Sequence, residues 1–259
     1  MRYFDTHAHL GLIVSNPTEQ ILVAERAKVA GVQAILTICN NLIDFFELHK
    51  TLSPLSNVYF SAGISPSEVT RIGKDWQQQL SKALTYSKVI AVGETGLDYF
   101  RKYGDKKSQI ELFIHQIEVA NHVKKPLVVH NRESGQDILE ILETHRPQQG
   151  AILHCYSENM AYAKKVLKSF DNVMFSFAGN ITFRTAKNLQ EVAAEIPDDR
   201  LLVESESPFM TPSDHHNKRN NPSYIASTVK FLAELRNQNV EELSEILFKN
   251  AMRFFHLSE

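Results

Sequence analysis

Two histidines one residue apart, His7 and His9, close the first apolar run of the chain in Phe4-Asp5-Thr6-His7-Ala8-His9-Leu10. Side chains at i and i+2 of an extended strand leave on the same face, so two imidazoles converge there as a divalent metal ion requires. Groups able to complete such a centre recur downstream. Glu94 lies in Gly93-Glu94-Thr95-Gly96-Leu97-Asp98-Tyr99, His130 in Leu127-Val128-Val129-His130-Asn131-Arg132, and His154 in Ile152-Leu153-His154-Cys155-Tyr156. Glu204 and Glu206 follow in Leu202-Val203-Glu204-Ser205-Glu206-Ser207-Pro208. A set of this kind can hold divalent metal, whose chemistry is to acidify a bound water and stabilise oxygens around phosphorus or a carbonyl carbon. The chemistry expected is metal-assisted hydrolysis. Each residue also has an ordinary reading. A strand-end histidine caps an apolar run, Glu94 suits a helix entry, and Glu204 and Glu206 suit a solvated acidic loop. What favours the metal site is the coincidence of four imidazoles and at least one carboxylate at matching strand ends.

The elements that must position these groups are legible as alternating apolar runs. Short β-branched or aromatic runs predict strands over Tyr3–Thr6, Gln33–Ile38, Val58–Ala62, Val89–Val92, Leu127–His130, Ala151–His154, Val173–Phe177 and Leu201–Val203. Between them, three- and four-residue apolar spacing predicts helices over 17–30, 42–52, 76–87, 108–123, 133–145, 160–169, 186–196, 224–237 and 241–255. Eight strands alternating with helices over about 250 residues is the pattern of a (β/α)8 TIM barrel, read here as one domain over residues 1–259. An open doubly wound sheet competes, but the chain has no Gly-x-Gly-x-x-Gly turn. In a parallel barrel the carboxyl ends of all strands open on one face, which would gather residues two hundred positions apart.

Composition bounds the rest. With 259 residues, 43% of them hydrophobic, the chain can bury a large core. A net charge of -2 lacks the basic excess of an avid non-specific nucleic-acid binder, although a local basic patch would serve an enzyme that grips a strand end. Two cysteines, Cys39 and Cys155, make no disulfide framework and suit a reducing compartment. No apolar stretch approaches the roughly 18 residues needed to cross a membrane. A cytoplasmic protein without membrane partners is expected.

Taken together, the quoted motifs resemble those of the TatD family of metal-dependent hydrolases and deoxyribonucleases, in family order from residue 5 to about residue 222. The resemblance implies a (β/α)8 barrel of the metal-dependent hydrolase type. It implies two divalent ions per chain (Mg²⁺, Mn²⁺ or Zn²⁺), one held by His7, His9 and Glu206, the other by His130 and His154, with Glu94 bridging. Glu206 would take a proton from the attacking water and return it to the leaving group. The chain departs from the family at three places. Glu206 stands where an aspartate is usual, and its extra methylene moves the carboxylate by more than about 1 Å, a misplacement that can cost on the order of 100-fold in rate. Ser65, in Gly63-Ile64-Ser65-Pro66, stands where a pocket histidine is usual. His215-His216-Asn217-Lys218 lacks the usual arginine.

DNA, as single strands or ends, is the substrate implied. Arg132 could fork onto a phosphate oxygen, or serve only a surface salt bridge. The segment 98–107 interleaves Arg101, Lys102, Lys106 and Lys107 with Tyr99, Phe100 and Tyr103, offering charge and stacking faces to a strand, Tyr99 foremost. Asp98 is read as a supporting residue rather than a ligand, and Cys155 as packing. A monomer is expected. Two other functions stay open: an amidohydrolase acting on a small ester, lactone or cyclic amide, and a catalytically weakened TatD-like scaffold.

Overall fold

In the computed structural model, which describes residues 1–258, eight parallel strands follow one another around a barrel in the order of the chain. They are β1 (Tyr3–Ala8), β2 (Val32–Thr37), β3 (Val58–Ala62), β4 (Val89–Asp98), β5 (Leu127–Arg132), β6 (Ala151–Leu153), β7 (Val173–Phe177) and β8 (Leu201–Val203). The helices are α1 (Leu10–Ile13), α2 (Pro17–Val29), α3 (Leu42–Leu52), α4 (Trp76–Ala83), α5 (Lys106–Val123), α6 (Gly135–His145), α7 (Met160–Ser169), α8 (Lys187–Glu195), α9 (Ile225–Arg236) and α10 (Val240–Phe254). Local chemistry starts several of them. Asn16 caps α2, accepting the N–H of Thr18 and Glu19, with Pro17 at the first helical position. Asp105, Asn159 and Asn239 do the same for α5, α7 and α10.

Two apolar layers hold the barrel. The inner one takes Phe4, Ala34, Leu36, Ala91, Val128, Ile152, Met174 and Leu202 from the strands and is closed at the strands' amino ends by Phe248, Ala251, Met252 and Phe255 of and after α10. The outer layer packs the alternate strand residues, such as Leu127, Val129, Leu153 and Val203, against the helices. This period-2 alternation decides what faces the open end. His130, His154 and Glu204 each stand two residues beyond an inward residue, respectively Val128, Ile152 and Leu202.

The period breaks at several places, two of them on strands that carry site residues. On β1, Asp5 pairs with Ile35 and Ala8 with Thr37, three steps against two. On β4, Val92 pairs with Leu127 and Thr95 with Val129, again three against two. Such irregularities re-aim side chains. They let Glu94 face inward three residues after Ala91, while the Thr95 hydroxyl accepts the Gln116 amide from α5 on the outside. Strand β4 therefore runs on through Asp98, where the sequence reading ends it at Val92 and places Glu94 just beyond its end. Gly96 makes this possible: its φ is +130°, and a Cβ there would lie 2.1 Å from the carbonyl oxygen of His130.

The seam between β8 and β1 is closed by residues just past β8. His9 donates its N–H to the Ser207 carbonyl at 2.8 Å, and Glu206 donates to that of His7 at 2.9 Å. Among the described residues no helix is long and apolar enough to cross a membrane.

Candidate metal centre

Every residue expected at the centre from the sequence arrives at the open end of the barrel except Tyr99. His7 is fully buried; His9, Glu94 and His154 are each 5% exposed. The Nε2 atoms of His7 and His9 are 3.2 Å apart, and His130 Nδ1 lies 3.3 Å from His154 Nε2. Glu94 stands between these two pairs. Its Oε1 is 2.8 Å from His130 Nδ1 and 3.4 Å from His154 Nε2, while its Oε2 is 3.9 Å from the Nε2 of both His7 and His9. Glu206 adds a second carboxylate, its Oε2 3.3 Å from His7 Nε2 and 3.6 Å from His154 Nδ1. Glu206 adopts φ 54°, in the left-handed region that is costly for a residue with a side chain, and the surrounding loop enforces it. In that loop Asn220, fully buried, donates to the Ser205 carbonyl at 2.7 Å, and Arg219 reaches the Leu12 carbonyl on α1.

A further ring of groups holds the imidazoles. Asp98 Oδ2 is 3.2 Å from His130 Nε2, in agreement with the supporting role expected of it. Glu204 is fully buried; its Oε1 accepts the Cys155 N–H at 2.8 Å and lies 3.4 Å from His154 Nδ1. The solvated-loop reading of Glu204 therefore fails: this carboxylate fixes the orientation of His154, and the signal that pointed to it was its place two residues after the inward Leu202. Asp5, also fully buried, accepts the N–H of His7 and of Ser205 and ties the two site strands together. Burial raises its carboxyl to about 7.

The charges are unbalanced as they stand. Burial would favour neutral Glu94, yet hydrogen bonds from His130 and His154 hold its carboxyl well below the usual range. Burial opposes charge on His154 too, but the facing carboxylates of Glu204, Glu206 and Glu94 raise it well above an ordinary histidine. His130 is raised in the same way by Asp98 and Glu94. His7 goes the other way, lowered by burial and by the neighbouring His154. Protons on two imidazoles thus partly offset a knot of carboxylates.

The donors fit divalent cations better than they fit one another. Glu206 Oε2 is buried with no hydrogen-bond partner, and imidazole nitrogens face each other across 3.2–3.3 Å. Three sets of ligand atoms each fall within 4.8 Å: His7, His9 and Glu94; Glu94, His130 and His154; and His7, His154, Glu204 and Glu206. Imidazole nitrogen and carboxylate oxygen suit zinc, manganese or iron, and carboxylate oxygen suits magnesium.

Above this floor lies a mouth of about 390 Å³, whose rim includes Arg101, Tyr103, Arg132, Ser65, Phe209 and Met210. Arg132 stacks its guanidinium 4.1 Å over the Phe100 ring and has no ion pair among the described residues, so the surface salt-bridge reading falls away. Tyr99 is placed elsewhere. Its hydroxyl donates to Asp137 of α6 at 2.6 Å, and Lys106 covers its ring at 4.3 Å. Of the groups that the sequence reading named in this segment, Arg101 and Tyr103 line the mouth, whereas Tyr99, which it put foremost, does not.

Known proteins resemble this chain along nearly its whole length. The model of a family described as TatD related DNase matches residues 4–256. The uncharacterized metal-dependent hydrolase YabD of Bacillus subtilis is 34% identical over 259 residues, spanning 98% of this chain and 99% of its own. YcfH of Escherichia coli K12, likewise an uncharacterized metal-dependent hydrolase, is 33% identical over 256 residues, 98% of this chain and 95% of its own. The crystal structure of YjjV, a TatD homologue from Escherichia coli K12, superposes with a TM-score of 0.89 at 26% identity, covering 99% of each chain. With the matched motifs meeting at one buried cluster of imidazoles and carboxylates, the chain belongs to the TatD family of metal-dependent hydrolases.

Proposed function

We propose that this hydrolase is a phosphodiesterase that cleaves DNA, at strand ends or in unpaired segments. The observation that carries the reading is the split facing of Glu94, one oxygen toward His130 and His154 and the other toward His7 and His9. Two imidazole pairs on either side of one carboxylate suit two divalent cations. Such ions, when bound, supply an acidified water and neutralise charge at phosphorus. The chain's own groups do the rest. Glu206, with its unpartnered buried oxygen at the edge of both pairs, accepts the proton of the attacking water and returns it to the departing oxygen. Arg101 and Arg132 at the rim hold phosphate oxygens, and Arg132 is pre-set by its stack on Phe100. Glu204 and Asp98 keep the imidazoles aimed.

The reading is tested by incubating purified protein, reconstituted with Mg²⁺, Mn²⁺ or Zn²⁺, with labelled single-stranded DNA beside a panel of small esters and lactones. Shortening of the DNA, with about two ions per chain by metal analysis, supports it. DNA left whole with every metal while an ester turns over would make the protein an amidohydrolase. Fewer than about one ion per chain and no turnover would make it a weakened scaffold.

A further inference from the structure

The mouth has a side branch. A cavity of about 200 Å³ opens beside His9 between α1, α2 and α3, and it shares His9, Leu12 and Asn40 with the mouth above the metal centre. Its ionised walls are of one sign only: Asp44 and Glu47, three residues apart on α3, with no lysine or arginine lining it. Asp44 spends one oxygen on the Asn41 amide, whereas the Glu47 carboxylate has no partner among the described residues. At the junction with the mouth, Asn40 Oδ1 is buried and unpartnered. Leu48 and Ile38 supply apolar wall between these acceptors. The mouth as a whole is therefore polarised, with guanidinium groups of Arg101 and Arg132 above β4 and β5 and free acceptors on the branch beside β1 and β2.

A phosphate fits the first side and is repelled from the second. The branch wants a flat group with apolar faces and N–H donors on its edge. We infer that it seats a nucleobase bearing an exocyclic amino group, on the nucleotide next to the bond that is cut; this deepens, and rests on, the nuclease reading. Adenine, cytosine and guanine each offer such a donor edge. Thymine presents a single N–H flanked by two carbonyl oxygens, which would face the carboxylates. Leu12 and Phe209, 42% and 50% exposed at the lip, offer surfaces against which the incoming base can slide or stack.

The test compares oligo-dA, oligo-dC and oligo-dG with oligo-dT on the metal-reconstituted protein, and on its Glu47→Gln and Asp44→Asn variants. Glu47 is exposed, so its substitution leaves the fold intact. The expected result is a KM about tenfold lower for the amino-bearing oligomers than for oligo-dT at similar kcat, the size of one good hydrogen bond to a charged acceptor. That difference should shrink to under about twofold in either variant. Equal KM for all four oligomers in the unaltered protein, or a preference untouched in both variants, overturns the proposal. If no DNA is cleaved at all, the nuclease reading fails separately, and the pocket is decided by ligand-observed NMR with free nucleosides. Saturable binding of deoxycytidine or deoxyguanosine over thymidine, lost in Glu47→Gln, then upholds the pocket; its absence removes it.

Discussion

His7 and Glu206 meet twice. The backbone N–H of Glu206 donates to the His7 carbonyl at 2.9 Å, and the Glu206 Oε2 stands 3.3 Å from His7 Nε2. One of the two backbone bonds that close the seam past β8 onto β1 is therefore also the bond that sets the second carboxylate against the first imidazole. Position and chemistry at Glu206 are coupled in the native chain, and substitution separates them.

Replacing Glu206 by glutamine keeps the size and removes the base. Cleavage of DNA should fall by about 10²–10⁴-fold in kcat, the usual worth of a positioned general base. Glu206→Asp keeps the acid and restores the family's usual residue, so it should retain or exceed the original rate. Steady-state kinetics on labelled DNA checks both; equal rates for all three proteins would remove Glu206 from the proton transfer.

Glu204 acts through His154. Its Oε1 accepts the Cys155 N–H and lies 3.4 Å from His154 Nδ1, so Glu204→Gln should leave the fold in place and loosen the imidazole. Carboxylates that orient metal-binding histidines are worth about 10–100-fold in metal affinity. A competitive chelator titration reads this directly. An unchanged affinity would reduce Glu204 to a backbone tie.

Metal and pH should be linked with a definite sign. In the metal-free protein His130 and His154 are raised above the ordinary histidine value by facing carboxylates. Their contribution to stability is therefore present in full below about 6.5 and lost as pH rises through their higher folded values. Glu94 is lowered, so its contribution is present above about 4.5 and lost as pH falls through its own lower value. The share of metal-free stability set by these three groups should thus be greatest between roughly pH 4.5 and 6.5 and fall above that, while the lowered His7 acts in the opposite sense below about 6.5. Cations need neutral imidazoles, so binding them must release protons, and their stabilisation must grow as pH rises. Thermal melts with and without chelator from pH 5 to 8 should diverge with increasing pH. Calorimetry in buffers of different ionisation enthalpy should count at least one proton released near neutrality.

Tyr99 and Arg132 meet at the end of the β4–β5 pairing, where the Tyr99 N–H donates to the Arg132 carbonyl at 3.0 Å, but their side chains have different tasks. Arg132→Ala should raise KM for DNA about tenfold and lower the slope of log affinity against log salt by about one, because a phosphate contact is lost. Tyr99→Phe removes only the hydroxyl bonded to Asp137. It should cost about 1 kcal/mol of stability in urea titration and leave KM within twofold. The reverse pattern would return Tyr99 to the substrate site.

What was legible in the chain and what was not divides along the barrel's period. Strand β3, strand β8 and helices α3 and α7 have the limits that apolar periodicity and flanking polar residues assign them. His130, His154 and Glu204 follow inward residues at even spacing, so alternation alone directs them to the open end, whereas Glu206, past the end of β8 with φ 54°, is aimed by its loop. Apart from Glu206, these assignments need only local stereochemistry, which the residue order carries. The inward aim of Glu94, three residues after Ala91, depends on a slip in register against β5, and the approach of β1 to β2 contains a similar slip. No spacing rule announces such a slip, because it is settled by which neighbour the strand must match. The same holds for the partners of Tyr99 and Glu204 and for the acid-lined branch beside His9. Each is made by groups from separate turns of the barrel, and their meeting is decided by packing between elements rather than by the order of residues within one.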